Sequence, residues 1–227
     1  VEDKGQWAMI FNETVKSDSN PVDRTEKFMF DGERLIQHII KQRYFEEEIS
    51  NEVNLSYSDN QVTVTTDYLT LVYTLNSEGY ASQCVYSLSS QNRIYQFSYS
   101  AEGYLTGIVE NIDDTEYSST SLTYENGDIT SISSKMNGLE NKFIYEPGEE
   151  SSTYHLPCLG LLEIHPLTFH IEALYAGLLG KDPRHFTMHS CPAGSNDEKT
   201  VYSYGFDKKG NPSRMICQTT YAGGQAS

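Results

Sequence analysis

Along most of the chain, apolar and aromatic residues alternate with Ser, Thr and charged residues, the pattern of strands that bury one face. One unit recurs: an aromatic or apolar residue ends a strand, a short turn follows, and an apolar residue opens the next strand. It occurs at Phe30–Leu35, Tyr57–Val62, Leu75–Ala81, Tyr99–Leu105, Tyr124–Ile129 and Phe206–Pro212. The first five anchors are 27, 18, 24 and 25 residues apart. Two strands per unit at that spacing describe an antiparallel meander of about a dozen strands.

The turns carry the residues their geometry needs. Asp59-Asn60 and Asn126-Gly127 are pairs that tolerate positive φ at both centres of a type I′ turn, and Gly32-Glu33 puts Gly first, as type II′ prefers. The longer turns Asn76–Gly79, Ser100–Gly103 and Asp207–Gly210 each end on Gly, which predicts a left-handed residue closing the turn. Beyond the turns, apolar residues recur three apart: Ala81 and Cys84, Leu105 and Ile108, Ile129 and Ile132, Pro212 and Met215. Strict alternation would place such pairs on opposite faces, so either a bulge intervenes or both faces are partly covered. Cys84 then fills an aliphatic slot in the core.

Between Tyr145 and Phe206 the pattern breaks. Pro166, Leu167, Ile171, Leu174, Tyr175 and Leu178, closed by Gly180, have the spacing of an amphipathic helix of about four turns over 166–179. Residues 1–25 read as a polar tether with a small docking patch at Trp7, Met9, Ile10 and Phe11. The expected fold is all-β: an antiparallel meander of repeated hairpins forming a curved sheet or open barrel. It makes one domain over 26–227 with one inserted α-helix.

Charge narrows the partners. The 227 residues hold 32 Asp and Glu against 16 Lys and Arg, a net charge of −16. Such a surface repels nucleic acid and anionic lipid, whose binding needs clustered cations. The apolar stretch 156–179 has the length of a membrane span but contains Glu163, His165, Pro166, His170 and Glu172, which reads as a segment outside lipid. Cys84, Cys158, Cys191 and Cys217 show no C-x-x-C spacing. Cys158 and Cys191 flank the helical segment and read as two separate thiols, with a disulfide as the alternative.

No motif specifies a reaction: there is no G-x-S-x-G, H-E-x-x-H or phosphate-cradling glycine loop. Five of the six histidines, His155, His165, His170, His185 and His189, crowd one segment. On a strand His185 and His189 would stand about 13 Å apart, too far to share an ion, and no metal or cofactor is expected. Glu46-Glu47-Glu48 and Asp113-Asp114 with Glu116 lack the ligand spacing of a calcium loop and read as solvated strand edges. Tyrosine is abundant, 17 against 9 Phe and 1 Trp. Tyr80, Tyr86, Tyr95, Tyr104 and Tyr117 are the candidate ligand-binding residues, as an aromatic platform for a sugar or apolar peptide, the alternative being that they pack across strands.

Units such as Phe97–Ile108 and Tyr204–Asn211 partly resemble the tyrosine-aspartate repeats of Rhs-type and teneurin-type surface proteins, although only the second keeps the Asp after its aromatic residue. From Thr25 onward, including the insert Ala173–Lys181, the chain more closely resembles a family of exported lipoprotein domains of unknown function with a porin-like fold from gut anaerobes. That resemblance implies a removed signal peptide, a lipid anchor at an upstream cysteine, and a place in the cell envelope, as an outer-membrane or periplasmic lipoprotein. It brings no catalytic residues. The expected function is a noncatalytic binding or scaffolding module, monomeric, engaging a glycan or an envelope protein. The alternatives are a hydrolase using acidic residues in a sheet-helix cleft, or a structural shell unit.

Overall fold

A computed structural model describes residues 5–15, 22–44, 47–88, 91–151, 161, 164–195, 197–208 and 212–221. Fifteen strands form one antiparallel meander in which every strand pairs with its neighbours in sequence. They are β1 (Gln6–Val15), β2 (Val22–Asp31), β3 (Arg34–Tyr44), β4 (Glu47–Tyr57), β5 (Gln61–Thr65), β6 (Thr70–Leu75), β7 (Ala81–Leu88) and β8 (Gln91–Tyr99). The remainder are β9 (Leu105–Ile112), β10 (Thr115–Glu125), β11 (Asp128–Met136), β12 (Leu139–Ser151), β13 (His185–Pro192), β14 (Glu198–Phe206) and β15 (Pro212–Tyr221). The sheet is not closed: among the described residues β1 and β15 each have one strand neighbour. The segment expected to be a tether therefore contributes a strand, with β1 matched to β2 from Gln6–Asp31 to Val15–Val22.

All six anchor pairs are register partners across their turns: Phe30 with Leu35, Tyr57 with Val62, Leu75 with Ala81, Tyr99 with Leu105, Tyr124 with Ile129, and Phe206 with Pro212. In five of them the register shifts just past the anchor, leaving Ile36, Ser82, Thr106, Thr130 and Ser213 as the extra residue of a β-bulge. The bulge restores both members of each three-apart pair to one face: Ala81, Cys84, Leu105, Ile108, Ile129 and Ile132 are all buried. The hairpin between β4 and β5 has no bulge, and its buried residues Val62 and Val64 are two apart. At the sheet edge the rule lapses, for Met215 is exposed. Bulges increase local twist, so a row of them along one end curls the sheet. Tyr57 and Tyr99 reinforce that end, their hydroxyls donating to the Leu35 and Ala81 carbonyls at 2.7 and 2.6 Å.

Turn geometry follows the sequence at Asn126 and Gly127 (φ 53° and 87°), Gly79 (84°) and Gly103 (91°). Asp59 and Asn60 depart from it, since neither has positive φ. Their loop is wider than a type I′ turn, with the Ser58 N–H donating to the Gln61 carbonyl. Asp113 and Asp114, read as a solvated edge, both adopt positive φ (48° and 64°) and form the two-residue turn joining β9 to β10.

The expected four-turn helix is much shorter. A single 3₁₀ turn at Leu167–Phe169 is followed by α1 (Ile171–Tyr175). His170 between them leaves helical geometry, and Gly177 at φ 70° ends the second piece. The apolar spacing is nonetheless real, because Leu167, Leu174, Tyr175, Leu178 and Leu179 are buried from successive irregular turns. This insert runs out across the concave face and back. His165 lies over β9 to β11, Phe169 and His170 over β6 to β8, and Tyr175 stacks on Phe28 of β2 with ring centroids 3.9 Å apart. The return leg is tied to three successive hairpins: the Ala81 N–H donates to Leu178, and the Lys181 and Arg184 N–H groups donate to Gly103 and Gly127. Gly180 passes so near Gly103 that a Cβ would sit 2.7 Å from its carbonyl oxygen.

Candidate functional site

Two polar clusters bind the insert to the sheet. In the first, His38 follows Leu35 at the three-residue step and is fully buried against Phe28, with ring centroids 4.0 Å apart. Its Nδ1 lies 2.7 Å from Glu172 Oε1 on α1, and its Nε2 lies 2.9 Å from Glu26 Oε2 on β2. Burial pulls the imidazole pKa down, but the two carboxylate bonds outweigh it and hold the value above the usual range. For Glu26, burial acts upward and is outweighed by His38 and Arg24, so its pKa falls. The cluster is a charged clasp between α1 and the sheet.

The second cluster centres on Glu110 of β9, which is fully buried. Ser118, its cross-strand partner, donates to Oε2 at 2.7 Å, His165 Nε2 lies 2.5 Å from the same oxygen, and Arg93 Nη1 is 3.3 Å from Oε1. Burial raises the Glu110 pKa, yet His165, Ser118 and Arg93 together hold it below the ordinary carboxylate value. The Thr120 and Ser134 hydroxyls fix the His165 carbonyl from below at 3.2 and 3.1 Å. Between the clusters, His170 is buried with its Nδ1 2.7 Å from the Tyr73 hydroxyl, and burial depresses its pKa to about 3. This imidazole is neutral, and the Tyr73 hydroxyl and Nδ1 share one hydrogen bond whose donor is set by the tautomer.

The five tyrosines singled out in the sequence divide between the two ends of the sheet. Tyr86, Tyr95 and Tyr117 gather around Arg93: its guanidinium lies 5.6 Å from the Tyr86 ring and 5.9 Å from the Tyr117 ring, and Tyr95 is fully buried beside Glu110. Tyr80 packs on Tyr99 and Tyr104 on Tyr124, at 5.3 and 5.0 Å, near the return leg of the insert. None of the five is in the exposed class. His185 pairs with Asp128 and His189 with Glu146, each at 2.9 Å. Cys84 is a core residue whose thiol pKa burial pushes up to about 12. His155 and Cys158 lie outside the described residues.

The convex face differs. β4 has 11 residues and β5 only 5, and their pairing begins at Asn54–Thr65, so the first half of β4 projects beyond β5. At that step lies a recess of about 430 Å³ lined by Ser50, Glu52, Asn54, Thr65, Thr66 and Asp67. Gln37 on β3 donates to Glu52 Oε1 at 2.5 Å and to Asn54 Oδ1 at 3.1 Å, fixing two of the lining side chains. Tyr68, next in the chain after Asp67, is 73% exposed. Beneath the insert, by contrast, the space bounded by Leu105, Tyr124, Leu161 and Leu174 is only about 10 Å³, room for about one water. Sequence reasoning missed the recess because no local motif marks it.

Residues 28–214 match the family model of a domain of unknown function with porin-like fold, DUF4595. The chain belongs to this family. The crystal structure of a porin-like protein from Bacteroides uniformis is similar at 27% sequence identity, with a TM-score of 0.88 over 97% of this chain and 91% of that one. No curated protein matches the chain, those carrying tyrosine-aspartate repeats included.

In this DUF4595 domain the insert packs over the inner face of β2, β3 and β6 to β11. Outward positions on β6, β7 and β8 include the half-buried cross-strand neighbours Val72, Val85 and Ile94, whereas on β4, β5 and β10 they are Ser50, Glu52, Asn54, Ser56, Thr63, Thr65, Ser119, Ser121 and Thr123. A lipid-facing barrel turns an apolar band outward. Here β4, β5 and β10 present hydroxyls, amides and a carboxylate.

Proposed function

We propose that this domain is a noncatalytic binding module of the cell envelope. Its insert braces the sheet, and its convex polar face engages a ligand. The observation that carries the reading is a contrast: the space under the insert at Leu105, Tyr124, Leu161 and Leu174 has room for about one water, whereas the outer face bears a recess of about 430 Å³ with preset polar groups. A hydrolase would need two carboxylates facing each other across an open cleft. Glu26 and Glu172 do face each other, but the buried His38 ring occupies the space between them; Glu52 and Asp67 both line the open recess, so a hydrolase would have to work there, and turnover is its test. The envelope location belongs to the same proposal, with export and a lipid anchor upstream of this chain. A thermal-shift screen of glycans and envelope extracts should find a ligand that raises the melting temperature. Turnover of a bound glycan would overturn the noncatalytic reading, and recovery of the native protein in the cytoplasmic fraction would overturn the envelope reading.

A further inference from the structure

We infer that the step between β4 and β5 is a subsite for a neutral sugar unit, held by adjacent hydroxyls and covered by the Tyr68 ring; this rests on the binding reading above. Each sugar hydroxyl both donates and accepts, so a site that holds several must mix acceptors with donors. The recess does so with two carboxylates (Glu52, Asp67), the Asn54 amide and the hydroxyls of Ser50, Thr65 and Thr66. These groups are ordered before a ligand arrives: Gln37 and Asn54 both donate to Glu52 Oε1, and Oε2 has no partner among the described residues. The turn is set as well. The Thr66 hydroxyl accepts from the Tyr68 and Leu69 N–H groups, while the Thr66 N–H donates to the Leu69 carbonyl.

Two features select the ligand class. Among the described residues no cation lines the recess, and Lys41, in register with Ser50 on β3, is 3.7 Å from Glu48, so uronates and sulfated sugars meet carboxylates without compensation. The projecting half of β4 could instead accept an extended peptide as an added strand, but Glu47, Glu48 and Glu52 stud that edge, the usual device against strand addition. Tyr68, one residue along the chain from the lining Asp67, exposes a phenol ring of the kind that suits the apolar face of a pyranose.

The test is calorimetric titration of the full chain with cellohexaose, maltohexaose and mannohexaose, and with oligogalacturonate, a lysine-rich peptide and calcium chloride as competing probes. The expected result is saturable binding of at least one neutral hexasaccharide, weakened about tenfold or more by Tyr68→Ala and by Glu52→Gln, with melting temperatures unchanged. Neutral-sugar binding that both variants leave intact would overturn the subsite while sparing the binding reading. Preference for oligogalacturonate, the peptide or calcium at this recess would overturn the sugar assignment alone. Failure of every glycan here, together with an empty ligand screen, would overturn both.

Discussion

His38 and His170 are equally buried, yet their pKa values move in opposite directions. His38 lies between two carboxylates and its pKa is raised, whereas His170 faces the Tyr73 hydroxyl and three aromatic rings, and its pKa falls to about 3. Burial acts downward on both, so the partners decide the sign. The concave face thus uses one residue type in two ways: as an ionic clasp on β3, and as a neutral aromatic wedge in the insert.

The largest break in that comparison comes from removing a carboxylate. Glu172→Leu leaves His38 with Glu26 alone and should cost about 3 kcal/mol in urea denaturation. Next is acid. The folded pKa of His170 lies below its unfolded value of 6.5, so its contribution is intact above pH 6.5. Below it, the unfolded chain takes up the proton first, and stability should fall by about 1.4 kcal/mol per pH unit. Glu26 and Glu110 add their own losses only below about 4.5. His170→Gln should therefore flatten the stability curve between pH 6.5 and 4.5, and an unchanged slope would refute the wedge. Tyr73→Phe removes the hydroxyl from His170 Nδ1 and should cost about 1–2 kcal/mol at pH 7.5 while narrowing the acid effect. The smallest expectation is on the alkaline side. The pKa of His38 is raised, so its stabilisation is complete below pH 6.5 and is lost as pH rises through the folded value. His38→Gln should remove that decline.

Much of this architecture is local and was legible. Anchor residues, left-handed glycines and the three-residue apolar step all sit within a few positions of one another, and each maps onto a register pair or a bulge. The Asn137-Gly138 turn between β11 and β12 is as plain a signal and went unread. What could not be read is nonlocal. His38 and Glu172 are 134 residues apart, and His165 and Glu110 are 55 apart. Only the path of the insert across the strands brings them together. The helix was overread because apolar residues on irregular turns can mimic a 3.6-residue stripe when all of them face one concave surface. The burial of the candidate tyrosines was out of reach for a related reason: sequence places them on strands but cannot tell which ends the insert covers. The recess depends on the difference in length between β4 and β5, a property of pairing that neither strand carries alone.

The return leg of the insert holds one more consequence. Leu178, Lys181 and Arg184 meet successive hairpins at a stride of three residues, and successive hairpins stand about 10 Å apart, the width of two paired strands. Chain and hairpin row are commensurate, like a toothed belt on its pulley. Losing a single residue between Leu178 and Arg184 would put every later tooth out of mesh, and Gly180, where a Cβ would strike the Gly103 carbonyl, fixes the phase of the belt within that length.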